Sequence, residues 1–312
     1  MGYVKYMVAA SALALSAGTV QAGEIAVIVK TTNSNYWQNV QKGADAAIKD
    51  HSDYTVSFDG PASESAVADE VNMVENAINR GVSGIVLAPS DPEALVPSVK
   101  RAYEAGIPVV IIDSALSDSA KPYFQSFLST DNCAAGEAVA KRMIEKAGDS
   151  GKIAVMSYVP GVGSEIGRVG CFKDYIAKNS KLDVVNTFYS QSQMAKALDQ
   201  TTDVLTANPD LVGIFGANEP TAVGMGRAIV QAGKAGKIVA LGFDGNNDEQ
   251  QFIKDGVLDA IAVQGSFQMG EKGVNTLVDL LAGKKVPDFV DTGVVLVDKD
   301  NIDTPVAQNV LY

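Results

Sequence analysis

Several short stretches of this 312-residue chain place ammonium, guanidinium, amide and carboxylate groups directly after apolar runs: Lys30 to Trp37, Ala88 to Asp91, Asp113-Ser114, Val159 to Arg168, Asn218-Glu219, Asp244 to Asn247, and Gln264. In an open α/β sheet, ligands meet the carboxyl ends of the strands. Side chains at such positions would converge on one cleft, and their chemistry is recognition. Charged and amide groups hold hydroxyls in paired hydrogen bonds, while the rings of Tyr36 and Trp37 cover C–H patches. Sugars need that mixture.

Catalysis and cofactors find little support. His51 is the sole histidine and sits beside Asp50 and Asp53 at a helix end, so it cannot build a histidine metal site and is poorly placed as a cleft base. No GxSxG occurs; Asp113 and Asp244 are left as the one conceivable acid–base pair. The stretch PGVGSEIG, residues 160–167, mimics a dinucleotide turn but spaces its glycines as GxGxxxG and lacks the acid about 20 positions on. DGNNDE, residues 244–249, starts like a calcium loop, yet Glu249 replaces the obligatory sixth-position glycine and Asp255 the closing glutamate. No cofactor and no metal are expected.

The elements that must position the polar groups are legible as a rhythm. Apolar runs at 25–29, 54–58, 84–87 and 109–112 predict strands, and amphipathic stretches at 37–49, 65–80 and 94–105 predict helices between them. The alternation restarts after Thr130. Helices are predicted at 134–147, 167–178, 194–207, 221–231 and 248–255, with strands at 152–158, 183–189, 213–216, 238–243 and 260–263. A last helix at 269–281 and strands near 290–297 follow. Strands alternating with helices imply doubly wound parallel sheets, and the repeat implies two similar lobes. No Pro- or Ser-rich linker separates the halves, so the chain is expected to cross between them more than once.

Residues 1–22 read as an export signal: Lys5, an apolar core from Met7 to Ala17, and the small-x-small pattern Val20-Gln21-Ala22, with cleavage expected after Ala22. The apolar stretch falls short of the roughly 20 residues that span a bilayer. A formal net charge of -12 argues against nucleic-acid binding, which needs a basic face. Cys133 and Cys171, an even pair in an oxidising compartment, are able to form one disulfide or to remain buried thiols.

Taken in order, IAVIVKTTNSNYW, GIVLAPSDPEAL, GIPVVIIDS, STDNCAAG, GRVGCF, TANPDLVGIFGANEPTAVG, VALGFDG and AIAVQ make the chain resemble, from Ile25 to about Gly293, the periplasmic solute-binding proteins of ABC sugar importers, of the ribose-binding type that shares its core with LacI-like repressors. The resemblance implies two Rossmann-like lobes, residues 23–130 plus 265–292 and residues 131–264 plus 293–312. Three crossings, near Thr130-Asp131, after Gln264 and near Gly293, would form the hinge. It also implies a monosaccharide in the cleft, a membrane permease with its ATPase as partner, a periplasmic location and a monomer. An alternative within the same likeness is a sugar or autoinducer-2 sensor that presents its closed form to a chemoreceptor or histidine kinase.

By position, the resemblance assigns Tyr36 and Trp37 to stacking, Asp113 to sugar hydroxyls, Arg168 to the ring oxygen or anomeric region, and Asn218, Asp244 and Gln264 to the remaining polar contacts; Lys30 ends the first strand where the cleft opens. Each has an ordinary alternative. Trp37 could be a hydrophobic staple, Asp113 a turn residue, Arg168 a surface residue, Asn218 and Asp244 helix caps, and Lys30 a snorkelling strand end. Glu165 is a further candidate whose ordinary place is in solvent. The sequence departs from the family at Ser114, where an arginine is usual, at Ala88, where an asparagine is usual, and in the 189–194 stretch, where Ser and Gln replace a closing aromatic. Those departures argue against a pocket dedicated to ribose; the ligand expected is a small neutral monosaccharide, a pentose such as D-apiose, ribose or xylose, or a related polyol.

Overall fold

The computed structural model describes residues 22–312; the predicted export signal, apart from Ala22, lies outside them. The first lobe begins with β1 (Gly23–Ile28), α1 (Asn35–Ile48), β2 (Tyr54–Asp59), α2 (Val67–Arg80), β3 (Gly84–Leu87), α3 (Val96–Glu104), β4 (Val109–Ile112) and β5 (Ser126–Ser129). The chain then runs through α4 (Asn132–Ala147), β6 (Ser150–Ser157), α5 (Gly163–Asn179), β7 (Lys181–Tyr189), α6 (Met194–Ala207), β8 (Leu211–Gly216), α7 (Glu219–Gln231), β9 (Val239–Phe243), α8 (Asn247–Lys254) and β10 (Ala260–Gln264). It closes with α9 (Ser266–Leu281), β11 (Phe289–Asp291), β12 (Val294–Asp298) and α10 (Pro305–Gln308).

These strands form two six-stranded sheets, ordered β11-β5-β4-β3-β1-β2 and β12-β10-β9-β8-β6-β7. The orders superimpose term by term. Every pairing is parallel except β10 with β12. Central strands such as β3 and β4 are buried along their whole length, which is why they read as unbroken aliphatic runs rather than alternating ones. Apolar cores lie on both faces of each sheet, Val27 and Val110 on one side and Ile85 and Ile111 on the other in the first lobe.

Strand β5 was not foreseen: Ser-Phe-Leu-Ser is too short and too polar for a periodicity reading, and its pairing with β4 and β11 holds it in place. Helix α5 starts at Gly163, four residues ahead of the sequence expectation of 167. Gly293, at φ 81°, splits the terminal strand pair so that β11 joins the first sheet and β12 the second. The chain therefore passes between sheets three times. The passages lie side by side: Thr292 N donates to Ser129 O at 3.0 Å, Thr130 Oγ1 donates to Gly293 O at 3.1 Å, and a Cβ on Gly265 would stand 2.5 Å from Thr292 O.

One helix pair braces each lobe close to this hinge. In the first, α9 packs on α1 at a glycine: a Cβ on Gly270 would stand 1.9 Å from Val40 O. In the second, α4 meets α5 at Gly136, whose Cβ would stand 2.1 Å from Arg168 O. There the Cys133–Cys171 disulfide joins the same two helices, with Cα atoms 5.1 Å apart.

Candidate functional site

The carboxyl ends of both sheets face a polar cavity between the lobes. From the first lobe, β1 delivers Lys30 and β4 delivers Asp113. Both are buried, and Lys30 Nζ lies 2.6 Å from Asp113 Oδ2. Ser114 Oγ accepts a second bond from Lys30 at 2.6 Å and donates to the same carboxylate oxygen at 2.8 Å. Tyr36 OH donates to the other, Oδ1, at 3.0 Å. Burial alone would raise the Asp113 carboxyl, but the Lys30 charge and hydrogen bond, with that of Ser114, hold it below its ordinary value. The serine that departs from the family pattern is thus part of the ion-pair network.

Ser34 caps α1 by accepting from Trp37 N, which sets Tyr36 and Trp37 in the first helical turn. Their rings meet edge to face, with centroids 4.8 Å apart and planes at 87°. Perpendicular rings cannot both lie flat on one ligand, so stacking falls to one of the two. Trp37 Nε1 donates to Glu64 Oε1 at 2.9 Å.

On the second lobe, Arg168 projects from α5 and is buried. Its guanidinium stacks 3.5 Å from the centre of the Phe243 ring, donates to Ala217 O at 2.6 Å, and donates through Nε and Nη2 to Asn132 Oδ1 at 3.1 and 2.8 Å. Asn132 in turn donates to Thr130 O at the first hinge passage. Gln264 ends β10 and donates to Asp244 Oδ1 at 2.8 Å; its own Oε1 is buried without a partner. A buried carbonyl left so is a standing acceptor for a hydroxyl. Asp244 Oδ2 accepts from Glu219 N at 3.0 Å. Burial pushes Asp244 up to about 6, against the pull of Arg168 and Gln264. Glu219 is pushed up to about 7 by burial and by the neighbouring Asp244.

All eight residues singled out from sequence, Lys30, Tyr36, Trp37, Asp113, Arg168, Asn218, Asp244 and Gln264, line this one cavity. Capping and lining coexist at Asn218, whose Oδ1 accepts from Thr221 N in the first turn of α7. In the 244–249 stretch the cap is Asn246, which forms a capping box with Glu249. Glu165 contradicts its expected place in solvent. It is buried and accepts from Ser157 Oγ and Gly161 N, because α5 begins early enough to turn it onto the end of β6. Sequence reasoning did not select Glu64 or Tyr158, which also line the cavity, and placed Glu219 at a strand end without assigning it a contact. Glu64 sits in the loop after β2, at the sheet edge, where strand-end logic gives no signal.

Two parallel-dominated α/β lobes, joined by three passages beside a polar cleft, are the architecture of type I periplasmic binding proteins. The chain belongs to the periplasmic binding protein domain family, whose match runs over residues 25–285. It is a binding protein rather than an enzyme. A D-allose-binding periplasmic protein of Escherichia coli K12 is 30% identical over 281 residues, 88% of this chain and 90% of its own length. An ABC transporter solute-binding protein from Agrobacterium vitis, solved with bound D-fucose, superposes with a TM-score of 0.93 at 71% identity, covering 93% of this chain and 100% of that one. A carbohydrate transporter solute-binding protein from Agrobacterium radiobacter, solved with D-arabinose, gives a TM-score of 0.88 at 33% identity, with 93% and 99% covered. Among the described residues no helix is long and apolar enough to cross a membrane.

Proposed function

We propose that this chain is the periplasmic solute-binding component of an ABC importer, and that it captures a small neutral monosaccharide, a pentose or 6-deoxyhexose, for delivery to a membrane permease. The carrying observation is the cavity: cationic and carboxylate groups from both lobes, one unpartnered amide carbonyl, and aromatic walls from Trp37 and Tyr158. Charged and amide groups converging from both lobes fit the hydroxyls of a single sugar ring. The D-fucose in the 71% identical protein supports the same size and charge class.

In this reading the eight sequence-selected residues hold the sugar. Residues 23–130 with 265–292 move as one body against 131–264 with 293–312, and the sugar stabilises the closed form by touching both. The protein acts as a monomer, and its output is binding energy.

The test is thermal unfolding of the chain after the signal, stripped of carried-over ligand by unfolding and refolding, against D-fucose, D-arabinose, D-ribose, D-xylose, D-apiose, D-allose and D-glucose. A ligand bound only by the folded state raises the melting temperature. A rise with a pentose or 6-deoxyhexose, larger than with D-glucose, is expected; no rise with any of them overturns the reading. Uptake of the same sugar that is lost when the coding gene is deleted tests delivery.

A further inference from the structure

Among the groups that line the cleft, one buried carboxylate ties the lobes together at its mouth. Glu64 is rooted in the first lobe and only 6% exposed. Its Oε1 takes the Trp37 indole N–H at 2.9 Å, and its Oε2 takes the hydroxyl of Ser192, a residue of the second lobe. Ser192 Oγ accepts in turn from Asn218 Nδ2 at 3.0 Å. A continuous path thus runs from the aromatic wall of one lobe through Glu64 and Ser192 to a polar group of the other.

Ser192 is presented at a conformational cost. Gln191 and Ser192 have φ of 58° and 55°, the left-handed region that non-glycine residues seldom enter and that persists only where the surroundings enforce it. Here Gln191 N donates to Tyr158 O at 3.0 Å, Gln193 N to Ser190 O at 3.1 Å, and Ser190 Oγ pairs with Thr221 Oγ1 at 2.7 Å. A loop held this way aims one hydroxyl across the cleft. The reciprocal contact lies on the same rim: Glu219 of the second lobe accepts from Asn35 N of the first at 3.0 Å.

We propose that Glu64 is a positioning residue that both fixes the Trp37 ring and latches the closed lobes through Ser192, so that it governs how long a bound sugar is held. The inference rests on the sugar-binding reading above. A hydrogen bond to a charged acceptor is strong enough to change a release rate about tenfold. It forms only as the lobes meet, so its effect falls on release rather than on capture.

The experiment is a double-mutant cycle of Glu64→Ala and Ser192→Ala, followed by stopped-flow binding of D-fucose, with Glu64→Gln as the conservative variant. Each single substitution is expected to speed release about tenfold, with association nearly unchanged. The double variant should be no worse than the worse single one, and Glu64→Gln should recover part of the loss. Additive losses, or losses confined to association, overturn the latch. If the wild-type chain binds none of the panel sugars, the sugar reading fails separately. The latch is then judged in the sugar-free protein from the emission of Trp37, the sole tryptophan. Ser192→Ala must shift that emission when Glu64 is present and leave it unmoved in the Glu64→Ala background; any other pattern overturns the proposal.

Discussion

Asp113 and Asp244 hold equivalent posts in the two lobes. Each directly follows the fourth strand of its lobe, takes a positive φ, 64° and 84°, and bonds its backbone N–H to the neighbouring strand at 2.9 Å. A left-handed residue at a strand end aims its side chain where regular strand geometry would not. The two carboxyls nevertheless end in opposite electrostatic states, one held below its ordinary value and the other pushed up to about 6. The difference lies at the end of the first strand of each lobe. Two residues past Ile28, Lys30 contacts Asp113, whereas two residues past the matching Met156 the second lobe has Tyr158, and the cation near Asp244, Arg168, spends its donors on Ala217 and Asn132. One lobe thus presents a fixed ion pair and the other a carboxyl that titrates near working pH. Equal backbones do not make equal sites; the counter-ion decides.

The sharpest way to break this comparison is Asp113→Ala. It leaves Lys30 buried without its partner, and removing one member of a buried pair costs about 3–5 kcal/mol. A large drop in unfolding free energy by urea titration, together with loss of sugar binding in calorimetry, is expected; unchanged stability would mean that Lys30 finds another partner. Removing the brace of the second lobe comes next. Cys133→Ser with Cys171→Ser opens a loop closed across 38 residues of sequence separation, and a loop of that size is worth about 4 kcal/mol. The expected result is a lower melting temperature with D-fucose affinity nearly retained.

A gentler pair of substitutions isolates charge from shape. Asp113→Asn and Asp244→Asn are nearly isosteric, but the first neutralises a carboxylate that is ionised at neutral pH and the second one that is already close to its titration point. Measured at pH 6, Asp113→Asn should weaken sugar binding by at least about tenfold more than Asp244→Asn, since hydrogen bonds to charged groups are the stronger ones. Equal losses in calorimetry would erase the asymmetry between the lobes.

What could be read beforehand follows the same physics. Residues such as Asp113, Asp244 and Gln264 stand at strand ends, and strand ends are marked in sequence by the halt of an aliphatic run, so one rule found them all. The sign of φ at the two aspartates is unmarked, because Asp is tolerated there without being diagnostic. Glu64, Ser192 and Glu219 each acquire one partner only when the lobes meet, between residues 128 apart for Glu64 with Ser192 and 184 apart for Asn35 with Glu219, and no local pattern records that. Glu165 was misplaced because the start of α5 has no side-chain cap to announce it; a helix start shifted by one turn converts a solvent position into an inward one. Strand β5 is set by its neighbours rather than by its own four residues.

The smallest expected effect concerns pH, and its sign follows from the second lobe. Glu219 is pushed up to about 7 and Asp244 to about 6, both first by burial, and Glu249 is raised well above the ordinary range by burial and by these two neighbours. A carboxyl whose folded value exceeds its unfolded one keeps its proton longer in the folded state. Its contribution is whole below about pH 4 and is lost as pH rises through the folded value. Asp113 runs the other way, contributing above its unfolded value and failing only in acid. Between pH 5 and 7.5 the first term is the one that changes, so the sugar-free protein should lose stability as pH rises, by up to about 1.4 kcal/mol per unit for each group titrating. Glu219 is also the group whose cover depends on closure, since Asn35 N of the opposite lobe donates to one of its oxygens and Tyr312 OH to the other. Glu219→Gln should therefore flatten part of the slope in melts recorded across that range. A slope untouched by Glu219→Gln would move the titration to Asp244, Glu249 or the first lobe's Glu70, which burial also pushes up to about 7, and detach it from closure.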